Sequence, residues 1–191
     1  MTTPHTSHRA IVLYAFGIFL ASTFLVTLLP AAQARDVAPL PGARALTPEE
    51  ARGRQVYLVE GCGYCHTQFL RELPMDQPYG RATVAEDYVG QDPPLAGTQR
   101  TGPDLSNVAK RQPSDVWHLI HLYNPRAVMP QSVMPSYPWY FETKEKADAG
   151  DVVVPVPERF LPHAGAVVVA RPEALALTAY LLSLKQVDLA P

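Results

Sequence analysis

"EGCGYCHTQF" occupies Glu60–Phe69 and holds both cysteines of the 191-residue chain, with His66 directly after the second. Cys-x-x-Cys serves three chemistries. A redox dithiol needs a strand–helix context of the βαβ kind, and none surrounds this pair. A structural zinc ion needs four ligands. Cys62, Cys65 and His66 offer three at best, and adjacent Cys65 and His66 do not easily reach one tetrahedral ion. The third chemistry is C-x-x-C-H, the attachment site of a c-type haem. Two sulfurs at this spacing form thioethers to the vinyl groups on one porphyrin edge, and the next imidazole meets the iron from one side. The sequence therefore points to one covalent haem c on Cys62 and Cys65, with His66 as an axial ligand.

Compartment supports this, because covalent haem attachment takes place outside the cytoplasm. Residues 10–30, "AIVLYAFGIFLASTFLVTLLP", carry no charge, and about 20 apolar residues cross a bilayer as a helix. Arg9 precedes the run, so the positive-inside tendency places residues 1–9 in the cytoplasm and the rest beyond the membrane. A cleaved signal peptide is the competing reading, with "AAQA" (31–34) as the cleavage site. The apolar run exceeds the usual 7–15 residues of a signal core, which favours a retained anchor. Both readings put Arg35 onward on the far side.

The rest of the chain reads as one domain on a linker. Net charge is −2, and no basic tract suggests nucleic acid. Two cysteines exclude a disulfide scaffold. Proline is abundant, 20 residues against an average usage of about 5%, and favours stiffened loops over regular structure. Residues 31–46 form the linker and 47–188 the domain. "TPEE" predicts a helix start, with Thr47 as N-cap, Pro48 at the first position and Glu50 closing a capping box. This helix runs to about Gly61. Residues 71–104 are loop-like. A second helix starts at Ser114, with Val116, Leu119, Ile120 and Tyr123 as its apolar stripe, and stops at Asn124-Pro125. Proline keeps 125–139 irregular. "DVVVPVP" and "GAVVVA" predict two short strands forming a hairpin. A last helix after Pro172 carries Leu177, Tyr180, Leu181 and Leu184, and Gly53 is expected to permit its close crossing with the first. Leu175 and Leu182 lie off that stripe. They face either the 151–171 segment or another subunit.

A haem c needs a sixth ligand or an open site, and methionine is the usual partner of histidine in electron-transfer cytochromes. Met134 lies in the proline-bounded "SVMPSYPW" and is the expected ligand, with Met129 in reserve. Met75 is too near the cysteines. His118 and His121 are expected to face solvent or lend outer support. His5 and His8 belong to the cytoplasmic tail, and His163 to an exposed loop. In "RTGPDL" the Pro103 carbonyl is positioned to accept from the second ring nitrogen of His66. Arg100 and Arg126 are candidates to pair with haem propionates.

"GRQVYLVEGCGYCHTQFLR", "YGR", "QRTGPDLSNVA" and "SDVWHLIHLYNPRAVMPQSVMPSYPW" together resemble the mono-haem subunit of cbb₃-type haem–copper oxidases, the FixO or CcoO family. The chain departs from it in a shortened stretch before "YGR" and in the segment after the methionine loop. The resemblance implies an all-α, class I-like cytochrome c domain with irregular loops and a small β-hairpin insertion, behind one transmembrane helix. It also implies His66 and Met134 as iron ligands. The expected function is single-electron transfer from an upstream donor to a haem–copper catalytic subunit, on the periplasmic face of a bacterial inner membrane. A soluble carrier released after Ala34, a nitric oxide reductase-like partner, and an enzyme with an open iron site are the rivals.

Overall fold

The computed structural model describes residues 7–189. His5 and most of the 1–9 tail lie outside the described residues. An unbroken helical rod runs from His8 to Ala34 with none of its apolar window buried. It has three parts: α1 (His8–Thr23), a π-helical turn (Phe24–Leu28) and α2 (Leu29–Ala34). Pro30 explains the middle part. Proline lacks an N–H, and its ring presses on the carbonyl of the preceding turn. A wider turn, in which Leu29 N–H reaches back to Phe24 O, relieves that pressure without ending the helix. The 27 residues give a length of about 40 Å, more than the roughly 30 Å of a hydrocarbon core.

Helix α3 (Pro48–Val59) begins on the expected capping box. Glu50 N–H donates to Thr47 Oγ1 and Thr47 N–H to Glu50 Oε2. Arg44 also clasps the Glu50 carboxylate through both terminal nitrogens at 2.6 Å, tying the end of the linker to the domain. The Arg44 guanidinium, aided by the Thr47 backbone, holds the Glu50 carboxyl down at about 2. Glu50, Gly53 and Tyr57 are the buried residues of α3, one stripe at helical spacing.

That stripe meets α6 (Pro172–Ser183), and Leu177, Tyr180 and Leu181 are all buried there. A Cβ on Gly53 would stand 1.8 Å from the Ala176 carbonyl oxygen and 2.8 Å from Tyr180 Cβ. The two backbones touch, as the glycine predicts. One turn further, Tyr57 and Tyr180 pack edge to face with centroids 5.5 Å apart. Leu175 packs against the core and Leu182 is half-buried, so neither offers a bare apolar face.

Between these helices in the chain lie α4 (Val108–Arg111), for which no helix was expected, and α5 (Asp115–Tyr123). Ser114 caps α5 through Trp117 N–H, and the helix ends at Asn124. Of the expected stripe, Leu119 and Tyr123 are buried and Ile120 packs against the core, whereas Val116 is exposed; His118 and Leu122 are buried beside them. Helix α6, the Val153–Val154 segment and the loop near Tyr140 pack against this short helix.

The sheet is also larger than a hairpin. Strands β1 (Phe141–Lys144), β2 (Val153–Val154) and β3 (Val167–Ala170) form an antiparallel sheet in the order β1-β3-β2. The expected pair of valine strands is β2 and β3, with Val154 opposite Val168. The missed strand β1 pairs Phe141 with Ala170 along the other edge of β3. "FETK" carries two charges in four residues, a typical edge composition, and so lacks a buried-strand signal. The fold is otherwise mostly helical.

Candidate functional site

Gly61 turns the chain out of α3 with φ +66°, a value that glycine adopts without strain. The next turn, Cys62–Tyr64, is 3₁₀, and the Cys62 carbonyl accepts from both Cys65 N–H and His66 N–H. Both thiols are therefore on one tight turn, Cys62 half-buried and Cys65 exposed, and they are not bonded to each other. Burial and nearby Glu60 push the Cys62 thiol up to about 12. A reactive thiol has a depressed value, and Cys62 is shifted the other way. Among the described residues, no three His, Cys, Asp or Glu side chains gather as a metal-binding group.

His66 is held as anticipated. Its Nδ1 lies 2.7 Å from the Pro103 carbonyl. A carbonyl only accepts, so Nδ1 carries the proton and Nε2 keeps its lone pair. Burial lowers the imidazole's proton affinity, opposed by that hydrogen bond. Gly102 supplies the ring's seat, since a Cβ there would stand 2.3 Å from His66 Cε1 and 2.8 Å from both ring nitrogens.

The 65–69 and 102–106 segments are laced together. Gly102 N–H donates to Cys65 O and Leu105 N–H to Thr67 O. The fully buried Asp104 carboxylate accepts from Thr67 Oγ1, Phe69 N–H and Ser106 N–H. Arg100 donates to Thr67 Oγ1, to Phe69 O and to the equally buried Asp76. Arg71, with Arg100, holds the Asp76 carboxyl far below the usual carboxylate range. The structure thus uses Arg100 as a brace behind the cysteine segment.

Arg126 does the same for the methionine loop. Its Nη1 donates to Ser132 O and Met134 O, and its Nη2 to Ser136 Oγ. Met134 is half-buried and touches the core, while Met129 and Met75 are exposed.

His118 does not face solvent, and His121 takes the outer-support alternative, against Met134. His118 is buried, its Nε2 2.9 Å from Gln112 O, and a satisfied imidazole tolerates burial. His121 Nε2 lies 3.1 Å from Met134 Sδ, and its ring stacks on Trp117 at 4.6 Å. Burial, with His118 and His66 nearby, pushes His121 down to about 4, so it is neutral near pH 7. The i, i+4 spacing of Trp117 and His121 was the available signal for this pair. Nothing in the sequence alone indicated that Met134 would meet it.

These residues fit an apolar macrocycle with an iron at its centre. The cysteine turn offers two thiols and an oriented imidazole with a free lone pair. The methionine loop and α5 offer a thioether on a braced loop and a buried imidazole nitrogen, His121 Nδ1, without a hydrogen-bond partner. Tyr64, Met129, Val133 and Trp139 expose apolar surface in the same two segments. A family model described as "Cytochrome C oxidase, mono-heme subunit/FixO" matches residues 5–156. No curated protein matches the chain.

Proposed function

Since the chain belongs to the FixO family, the mono-haem subunits of cytochrome c oxidase, we propose that its single haem is held covalently by Cys62 and Cys65, with His66 and Met134 as axial ligands. The observation that carries this is the His66 seat, where Pro103 fixes the proton on Nδ1 and leaves Nε2 for a metal. The haem iron, when bound, supplies a one-electron redox couple. Everything else falls to the chain. Gly102 and Pro103 set the plane of the His66 ring, Arg126 holds the Met134 loop, and Arg100 braces the opposite segment. The engagement of both arginines with protein groups supports bracing ahead of propionate pairing.

The reading continues outward. The His8–Ala34 helix is a retained anchor in a bacterial inner membrane, with Arg35 onward in the periplasm. A thioether ligand raises the potential, which suits a step late in a respiratory chain. The domain takes single electrons from an upstream donor and passes them to a haem–copper catalytic subunit.

Two experiments bear on this. Purified from native membranes in mild detergent, the protein should travel with a large multi-helix haem protein, and oxygen consumption by that complex should fall to background without it. Isolation as a lone monomer, with respiration intact in its deletion, would leave a tethered carrier instead. The second concerns the seat. Gly102→Ala should push the His66 ring off Pro103 O. Losing that hydrogen bond, about 1 kcal/mol, makes the ligand less basic. The reduction potential should rise by roughly 40 mV, scaled from about 59 mV per tenfold change in a one-electron couple. An unchanged potential would show that Pro103 does not tune the site.

A further inference from the structure

Three histidines are buried or half-buried in the domain, and two have a strong partner. His66 gives Nδ1–H to Pro103 O, and His118 lies against Gln112 O. His121 has neither. One ring nitrogen touches the thioether of Met134 at 3.1 Å, and a thioether is only a weak acceptor. The other nitrogen is buried without any hydrogen-bond partner. A neutral imidazole has one donor and one acceptor, and neither is well met here.

Packing holds the ring beside the methionine loop. It lies nearly parallel to Trp117, tilted by 12°. Met134 is equally fixed, its carbonyl held by Arg126. A nitrogen and a sulfur, both good iron donors, are thus presented side by side at the same place in the fold. The distance between them is within the reach of a rotamer change.

We infer that His121 is an alternative iron ligand, whose ring nitrogen would replace the Met134 thioether on a bound haem when that thioether is lost or displaced. This rests on the haem ligation proposed above. The exchange breaks one iron–sulfur bond and forms one iron–nitrogen bond from a ring lone pair, and no electron or proton leaves the site. Because methionine raises the potential relative to a nitrogen ligand, the exchanged form holds its iron more firmly oxidised.

The test uses full-length holoprotein with Met134→Leu, which keeps the side-chain volume, and Met134→Ala, which opens space beside the ring. At least one of the two should give a six-coordinate, low-spin haem with no sulfur-to-iron absorption band. The corresponding double variant with His121→Ala should be high-spin. With His121 present, only the iron fraction free of it can bind carbon monoxide, so apparent affinity for that gas should be weaker by about tenfold or more. A high-spin iron in both single variants overturns the inference. So does a persisting sulfur band, which would mean that Met129 has moved in, or a low-spin form that survives removal of His121. The wild type separates this from the underlying reading: if it lacks the sulfur band, Met134 is not the ligand, and the exchange falls with it.

Discussion

The double variant Cys62→Ala with Cys65→Ala is expected to lose covalently bound haem completely. A thioether bond survives denaturation and acidic acetone, whereas a haem held only by axial ligands and packing does not. Wild-type protein should therefore keep its haem stain on a denaturing gel and after acid extraction, and the double variant should show none. Both cysteines sit on one 3₁₀ turn whose hydrogen bonds are backbone to backbone, so alanine leaves the turn's own geometry intact. Single variants should retain stain through the remaining sulfur, at reduced yield. Haem that extracts from the wild type would refute the attachment, since the family match establishes one haem but not its bond to the protein.

Gly53→Ala should destabilise the fold, and the sign makes the test. In an exposed helix, glycine to alanine is favourable by about 1 kcal/mol. Here the added carbon would lie 1.8 Å from the Ala176 carbonyl oxygen and 2.4 Å from its carbon. These are backbone atoms of α6, which cannot swing aside as a side chain can. The helices must separate, disturbing the Tyr57–Tyr180 contact beneath them. Overpacking of this kind costs about 1–3 kcal/mol, a fall of roughly 3–10 °C in thermal midpoint at this chain length. Gly53→Val should fall further. A midpoint that rises in the alanine variant would place the true crossing elsewhere.

Local signals carried much of this architecture. Thr47, Pro48 and Glu50 announce α3 because a capping box is satisfied within four residues. Gly53 foretells the crossing because a bare helix glycine has few other reasons. The turn around Pro103 foretells the His66 contact because a rigid carbonyl beside a haem motif suits an imidazole. What escaped depends on neighbours far along the chain. His118 and His121 read as polar until Gln112 and Met134 are brought to them. Strand β1 exists only because β3, some 25 residues later, offers it an edge. The pairing of Arg100 with buried Asp76 was not legible because that partner lies 24 positions earlier in a stretch with no regular pattern.

The clasp between Arg44 and Glu50 has a consequence for how far the domain can wander. Thirteen residues, 35–47, separate the end of α2 from the start of α3, and fully extended they would reach about 45 Å. The clasp takes up the last few, and Gly42 lies near Val187. The free length shrinks to the first half of the linker, roughly 20–25 Å. A redox domain on so short a leash does not search in three dimensions for its acceptor. It stays at an effective concentration of about millimolar beside whatever its own anchor packs against. Weak docking is then enough for turnover.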